Sequence, residues 1–261
     1  LLPVGAGEDE LQALRAQLGL DQPIVQQYLQ YLASIATGDF GESFQFGRPA
    51  MEVVLERLPA TATLAGCALG MGVVLGTLAA VGLSQSHVPF RGTIMAILIS
   101  PMIVPLIISA AGMYFFYSRL GLQGSYWGVV LAHAALGIPF VIITVTATLI
   151  GFDQSLNRAA ASLGANPRTT FFRITMPLIL PGVISGALFA FVTSFDEVVV
   201  TLFLAGPEQV TLPRQMFAGI RENISPTIAA VATILTVLST LMLITLEWLR
   251  RRGERMRGTE K

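Results

Sequence analysis

Two adjacent carboxylates, Asp196 and Glu197, follow a long apolar stretch of the sequence. The 22 residues between Arg173 and Asp196 contain no Asp, Glu, Lys or Arg. Placing a carboxylate at the centre of a membrane helix costs about 2.5–3.5 kcal/mol of insertion free energy, so an acid at such a position requires an explanation. We expect Asp196 to face a wet pathway in the outer half of a helical bundle, where it would attract an amine, and Glu197 to be partly engaged in a helix contact. The alternative is that one acid lies at the membrane interface and the other bonds a neighbouring helix.

A second stretch, from Asp153 to Met176, has the signals of two short helices separated by a turn. Asp153 is suited to cap the first helix, Gly164 to end it at positive φ, and Asn166 to start the second. The pattern predicts a partly apolar projection from the membrane domain, although a helix lying on lipid has the same periodicity. The first helix is expected to place four side chains on one face: Leu156, Ala159, Ala160 and Leu163.

The residues that ATP hydrolysis, a metal site or a disulfide would require are missing from the sequence. The only lysine is Lys261, so the phosphate-binding pattern G-x-x-x-x-G-K-[ST] is absent and this chain is not expected to hydrolyse ATP or to bind a cofactor. His87 and His133 are far apart and outside any H-E-x-x-H pattern, and Cys67 is the only cysteine, so neither a metal site nor an internal disulfide is expected. His133 is more typical of a helix-contact histidine. With zero net charge, nothing indicates nucleic-acid binding, and no enzyme activity is predicted.

The composition places these residues in a membrane protein. Hydrophobic residues make up 53% of the 261 residues and charged residues 12%, against about 25% charged residues in soluble chains. Five charge-free gaps are each long enough to hold a spanning helix. We therefore predict an all-α polytopic membrane protein, with a helical extracytoplasmic segment over residues 1–57 and a transmembrane domain over 58–261. The predicted spans are Leu58–Leu83, Gly92–Tyr117, Tyr126–Ile150, Leu178–Leu204 and Ile228–Trp248.

Small residues and prolines predict how these spans pack. Pro101 and Pro105 each lack a backbone donor and should bend the second span. Such a bend could line a pathway, although membrane helices also tolerate proline without any transport role. Three pairs of glycines are spaced i, i+4, which lets helix backbones approach closely. The pairs are Gly66 and Gly70, Gly72 and Gly76, and Gly182 and Gly186.

Basic residues predict the orientation of the chain in the membrane. Ten of the 16 Arg and Lys residues fall at Arg91, in the loop 153–176 and in the tail 250–261, and six fall on the other side. By the positive-inside rule, the loop and the C-terminus are cytoplasmic. We interpret the basic tail as an anchor at the cytoplasmic face of the lipid bilayer.

The loop also carries a resemblance to a known family. Its spacing of Arg158-Ala159-Ala160, Gly164, Ile174 and Pro177 is similar to the E-A-A-x-x-x-G-x₉-I-x-L-P loop of ABC importer permeases, with Arg158 in place of Glu and Met176 in place of Leu. The resemblance implies that the loop docks on a separate ATPase subunit, which uses the ATP, and couples its closure to the membrane helices. The implied coupling residues are Arg158, Ala159, Ala160, Leu163, Gly164, Ile174 and Pro177.

Two narrower resemblances divide the chain. From about residue 76 to 261, with SFDEVVVTLFLAGP at 194–207, it resembles the spermidine/putrescine-type permease, whereas residues 11–63, with GDFGESF at 38–44, resemble the outer segment of dipeptide/oligopeptide permeases. These resemblances imply an inner-membrane permease that works with a second permease, ATPase subunits and an extracytoplasmic binding protein, with Asp196 and Glu197 on the pathway of a polyamine-type cation. A mosaic of the two sequence types is our hypothesis, and it lacks the first spanning helix that both families carry upstream.

Two other functions remain open from the sequence. A permease subunit for di- or oligopeptides is the first alternative, because of residues 11–63. A self-contained ion-coupled transporter is the second, and it would be expected to contain repeated halves with interrupted helices, which the sequence does not suggest.

Overall fold

The computed structural model describes residues 7–17, 20–44, 46–84, 88–222 and 226–256. Within that part of the chain, the helices form one bundle around α3, α6 and α9, and the predicted all-α polytopic architecture is confirmed. The elements are α1 (Glu8–Gln17), α2 (Ile24–Ala36), β1 (Glu42–Ser43), β2 (Arg48–Pro49), α3 (Ala50–Leu83), α4 (Arg91–Ile103), α5 (Leu106–Arg119), α6 (Tyr126–Ile150), α7 (Ser155–Ser162), α8 (Pro167–Thr170), a π-helical segment (Phe171–Thr175), α9 (Met176–Phe195), α10 (Val199–Leu204), α11 (Leu212–Glu222) and α12 (Pro226–Met256).

Helix α6 lies at the centre of the bundle. It is apolar on every face, which is typical of a helix surrounded by other helices, and it packs against both α3 and α9. Two thirds of its most apolar stretch is buried, compared with 17% for α12. Val141 and Val145 form one core cluster with Ala80 of α3 and Ile179 of α9. The long apolar surfaces of α12 are therefore left for lipid or other subunits.

Glycines bring the three central helices close together. A Cβ atom added to Gly76 of α3 would lie 2.7 Å from Cβ of Val141, and one added to Gly186 of α9 would lie 2.7 Å from Cα of the same valine. The predicted close approach is confirmed for the glycine pairs at 72/76 and 182/186. No such approach is seen at Gly66 and Gly70, where an added Cβ would meet no atom of another described helix within 4 Å.

The second predicted span is broken into two helices. Helices α4 and α5 meet at an angle of 107° across Val104 and Pro105, so the predicted bend is confirmed and a continuous helix over 92–117 is wrong. Pro105 has no N–H to donate to the carbonyl of Pro101, and α4 therefore stops at Ile103. Within the described residues, four helices are long and apolar enough to cross a membrane, or five if the bent pair counts as one span.

The fourth predicted span is interrupted as well. Helix α9 ends at Phe195, and α10 begins at Val199 after a short non-helical segment. A continuous helix from Leu178 to Leu204 is therefore wrong, and so is the placement of Asp196 and Glu197 within a helix. The β-branched residues that follow, from Val198 to Thr201, have reduced helix propensity.

The loops gather at the two ends of the bundle. The Gly124 amide donates to the Leu204 carbonyl at 2.8 Å, and the Leu212 amide donates to Thr61 Oγ1 at 2.9 Å. The loops 120–125 and 205–211 therefore share one end with the start of α3, where Phe40 packs in a cluster with Ala50 and Leu212. We call this end, after the segment that leads into α3, the 20–49 end. The segment 151–175 lies at the opposite end, which we call the 151–175 end.

The segment before α3 adds a small hairpin to the 20–49 end. Strands β1 and β2 pair antiparallel, with Ser43 opposite Arg48, in a stretch where the sequence did not indicate strands. Phe40 is buried in a cluster with Leu212 and Val231. Helix α3 begins already at Ala50 and continues across the predicted domain boundary at 57/58 without a break.

Candidate functional site

Glu197 fixes the interruption between α9 and α10. Its Oε1 accepts a hydrogen bond from the Val200 amide at 2.7 Å, and its Oε2 accepts one from the Thr201 amide at 3.1 Å. These are amides of the first turn of α10, which have no partner within the helix. Glu197 thus caps α10 with a side chain that is only 2% exposed. A new helix start at this point, rather than continued α9, follows from that cap.

His133 of α6 contacts both sides of the interruption. Its Nδ1 lies 2.8 Å from Ser194 Oγ, before the break, and its Nε2 lies 3.1 Å from Thr201 Oγ1, after the break. The same Nε2 lies 3.5 Å from Glu197 Oε2. All four residues are buried. His133 is a helix-contact histidine, as the sequence indicated, but its partners were not predictable because they lie 61 and 68 residues away.

Asp196 differs from its neighbour in exposure. Its amide still donates to the Val192 carbonyl at the end of α9, at 3.2 Å, whereas its side chain is exposed on the wall of a cavity. Adjacent residues in a non-helical segment can point in opposite directions. Asp196 is consequently available to a ligand, while the Glu197 oxygens are occupied by α10.

The cavity lies where the two broken spans meet. Its volume is about 510 Å³, and Asp196 is the exposed acid among its lining residues. Leu136 and Phe140 on its wall lie roughly 15–21 Å along α6 from the 20–49 end. The buried Glu197 also lines the cavity, and the remaining lining residues are mostly apolar: Pro101, Met102, Ile103, Val104, Pro105, Leu106, Thr193, Val198 and Val199.

Four helix ends face this cavity. The carboxyl ends of α4 and α9 carry partial negative charge, and the amino ends of α5 and α10 carry partial positive charge. Glu197 neutralises the amino end of α10. Two carboxyl ends, one uncompensated amino end and the Asp196 carboxylate remain, so the balance of charge in the cavity is negative. Pro101 and Pro105, at the bend between α4 and α5, line this cavity.

The loop at the 151–175 end has the turn chemistry that the sequence predicted. Asp153 Oδ1 accepts a hydrogen bond from the Ser155 amide at 2.8 Å, and Oδ2 accepts one from Ser155 Oγ at 2.6 Å. Because these bonds stabilise the carboxylate, they hold the pKa of Asp153 below its usual value. Gly164 has φ +81°. Asn166 Oδ1 accepts from the Thr169 amide at 2.8 Å at the start of α8. Two helices joined by a turn, α7 and α8, are therefore confirmed.

The residues implied by the loop resemblance are partly on its surface. Arg158, Ala159 and Pro177 are exposed, and Leu163 beside Gly164 is 88% exposed. Ala160 is buried against the rest of the loop and Ile174 is half-buried in the π-helical segment. The sequence did not indicate that π-helical segment, nor that Phe172 within it would be 66% exposed.

The loop and the cavity are connected by α9. This helix has 20 residues, and it is therefore about 30 Å long. It begins directly after the loop at Met176 and ends beside Asp196. The exposed loop surface and the cavity are thus two separate sites at opposite ends of one helix.

Several known proteins are similar to this chain in sequence or in fold. Residues 72–255 match the family described as "Binding-protein-dependent transport system inner membrane component", and residues 5–65 match the N-terminal component of binding-protein-dependent transport membrane proteins. The chain is 33% identical over 189 residues to the spermidine/putrescine transport system permease protein PotC of Escherichia coli K12, covering 72% of both chains. It is 34% identical to the putrescine transport system permease protein PotI of the same organism over 66% of this chain and 64% of that one.

Solved transporters have the same fold at low sequence identity. The MetNI methionine ABC transporter aligns with a TM-score of 0.62 at 19% identity, over 78% of this chain and 97% of that chain. A bacterial ABC transporter involved in alginate import aligns with a TM-score of 0.59 at 16% identity, over 96% and 99%. Because the family match spans well over half of the sequence, this chain belongs to the inner-membrane permease components of binding-protein-dependent transport systems, which are transport subunits and not enzymes.

Proposed function

We propose that this chain forms half of the translocation pathway of an ABC importer for a small polyamine-type cation, with Asp196 at the substrate position. The observation that carries the proposal is the exposed Asp196 carboxylate in a mostly apolar cavity at the junction of two broken spans. The similarity to PotC and PotI, whose names refer to spermidine and putrescine, supports the same substrate class.

The cavity has the chemistry that an amine-bearing hydrocarbon chain requires. An ammonium group loses hydration on entry, and a carboxylate together with helix carboxyl ends offsets part of that loss. Leu136, Phe140 and Met102 provide apolar surface for methylene groups. A zwitterionic peptide would need a second polar position for its carboxylate, and among the described lining residues no Arg or Lys provides one.

The loop 153–176 is the proposed contact with the ATPase. Leu163 and Phe172 expose large apolar side chains on it, and Gly164 turns the chain between α7 and α8. Movement of an ATPase against this surface would be passed along α9 towards Asp196. We assign the coupling role to the exposed face around Arg158, Ala159 and Leu163, with Ala160, Gly164, Ile174 and Pro177 shaping it.

The proposed topology follows from the grouping of loops at the two ends. The 151–175 end, with the basic tail 250–261, faces the cytoplasm, because that side has the larger number of Arg residues near helix ends. The 20–49 end then faces outward, where an extracytoplasmic binding protein would deliver substrate. A second permease subunit would complete the pathway across the cavity, which this chain closes on one side only.

The proposal is tested with the complete complex. The chain, co-purified with its ATPase, permease and binding-protein partners, is reconstituted in liposomes containing ATP. Uptake of radiolabelled spermidine, putrescine and a neutral dipeptide is then compared. We expect ATP-dependent uptake of the polyamines and none of the dipeptide. Dipeptide uptake without polyamine uptake would overturn the substrate assignment, and uptake that needs no nucleotide would overturn the importer assignment.

A further inference from the structure

The buried cluster of His133, Ser194, Glu197 and Thr201 has a defined order of donors and acceptors. A carboxylate only accepts hydrogen bonds, and Glu197 Oε2 lies 3.5 Å from His133 Nε2 and 3.3 Å from Thr201 Oγ1. The Thr201 hydroxyl donates to the Glu197 backbone carbonyl and to Oε2, so we assign the imidazole proton to His133 Nε2, which donates to Thr201 Oγ1 and faces Glu197. Its Nδ1 is then the acceptor for the Ser194 hydroxyl, 2.8 Å away. The resulting chain runs from Ser194 through His133 to Glu197.

This chain of bonds spans the segment that carries Asp196. Ser194 belongs to the last turn of α9 and Thr201 to the first turn of α10, and both contact the same imidazole ring. Between them the Asp196 amide still donates to the Val192 carbonyl and the Val198 carbonyl accepts from the Leu202 amide, whereas Glu197 lies outside both helices. His133, which is 1% exposed in the amino-terminal third of α6, thus links the two helix ends.

We propose that His133 is a positioning residue for substrate selection, through two effects. It holds the break so that Asp196 faces the cavity, and it holds Glu197 at the amino end of α10, so that the cavity keeps a negative potential. Glu197 then contributes to cation selection from the cavity wall while its carboxylate oxygens stay hydrogen-bonded to the α10 amides. The inference rests on the proposed function in taking a cation as the substrate, but its electrostatic part can be measured without any substrate.

The first test compares two replacements of similar size. In His133→Gln the side-chain amide can reach the Nε2 position and still donate to Thr201 and Glu197, whereas in His133→Asn it can reach only the Nδ1 position beside Ser194. We expect His133→Asn to raise the apparent KM for spermidine about 10-fold with a maximal rate within about 2-fold, and His133→Gln to stay within about 3-fold of the parent KM. A role in packing alone would lower the stability of both variants, more in Asn because it is one methylene smaller, without a selective rise in the KM of His133→Asn.

The second test measures the potential of the cavity directly. Thr193, which lines the cavity, is replaced by Cys in a chain whose exposed Cys67 is replaced by Ala. The rates of reaction with an ammonium-bearing and a sulfonate-bearing methanethiosulfonate reagent are then compared in the assembled complex. We expect the cationic reagent to be favoured, and the preference to fall at least about 3-fold in His133→Asn and in Glu197→Gln but not in His133→Gln.

A second pair of variants covers the case in which the histidine variants do not assemble. Thr201→Ser keeps the hydroxyl that links His133 to Glu197, whereas Thr201→Val keeps the shape and removes the hydroxyl. We expect the reagent preference to be retained in Thr201→Ser and lost in Thr201→Val. Equal values in the two variants of either pair would overturn the positioning role. A normal reagent preference in a complex that does not transport polyamines would refute the proposed substrate and leave the positioning role supported.

Discussion

Gly76 of α3 lies against Val141 of α6 with no room for a side chain between them. A Cβ at position 76 would come within 2.7 Å of the valine Cβ and within 3.3 Å of the Ile138 carbonyl oxygen. The contact joins two spans in the centre of the bundle. Gly66, ten residues earlier in the same helix, has no atom of another described helix within 4 Å of an added Cβ, and it therefore provides a matched control.

We expect Gly76→Ala to destabilise the purified protein by roughly 1–3 kcal/mol, because overpacking a tight contact forces the two helices apart. Gly66→Ala should be neutral or slightly stabilising, since alanine has the higher helix propensity. Both variants are measured by unfolding in detergent. Equal destabilisation by the two changes would contradict the packing of α3 on α6.

The conformation of Gly164 predicts the effect of a substitution in the loop. With φ at +81°, a β-branched residue is strained, so Gly164→Val should distort the turn between α7 and α8 and lower substrate-stimulated ATPase activity about 10-fold. Gly164→Asn should be close to the parent, because asparagine tolerates this region best among residues with a side chain. Parent-level ATPase activity and transport in the valine variant would refute the docking assignment.

Arg158 departs from the acid that the loop pattern of related permeases usually has at this position. Its side chain is on the exposed face of α7. We expect Arg158→Glu to strengthen association with the ATPase, measured by co-purification or by surface-immobilised binding. Arg158→Gln removes the positive charge without adding an acid, and it shows whether a gain comes from the carboxylate. Weaker binding of the glutamate variant would mean that the partner has adapted to arginine.

Asp196 should be required for cation uptake. Asp196→Asn keeps the side-chain volume and removes the charge, so spermidine uptake should fall about 10-fold or more while the amount of protein in the membrane is unchanged. Glu208→Gln removes the same charge from the exposed loop at the 20–49 end and should leave uptake within about 2-fold. Unaltered uptake in Asp196→Asn would remove the substrate argument, and loss of expression would mark Asp196 as structural.

The proposed topology is tested by labelling a single cysteine. Thr259 lies outside the described residues, in the basic tail, and Thr259→Cys is introduced together with Cys67→Ala. A membrane-impermeant maleimide should label this cysteine in inverted vesicles but not in spheroplasts. Gln123→Cys, in the exposed loop 120–125 at the opposite end, should have the reverse pattern. Labelling of position 259 in intact spheroplasts would refute the orientation.

The sequence was sufficient for features that depend on neighbouring residues. The charge-free gaps located the apolar helices, because the length of an apolar run decides whether it can span. The turn at Gly164 and the cap at Asn166 depend on residues within three positions of each other, and both are present. For the same reason, the bend at Pro105 was predictable from proline alone.

The interruption at Asp196 was not predictable in this way. Apolar length favours one helix as far as Leu204, and the break depends on the Glu197 cap and on contacts of His133 with residues more than 60 positions away. The same break in the helix gives Asp196 and Glu197 their different surroundings. Adjacent residues on a helix would differ by about 100° in direction, whereas the non-helical segment separates one exposed acid from one buried acid.

The π-helical segment Phe171–Thr175 has a consequence for the register between the loop and the membrane. A π turn accommodates one residue more than an α-helical turn, so the segment acts as a one-residue insertion between α8 and α9. Deleting a single residue there would restore regular α-helical bonding, but it would turn Leu163 and the rest of the loop face by about 100° around the axis of α9. The angular position of the loop is therefore set by an added residue, and length changes in these five positions would reorient that face while leaving both flanking helices intact.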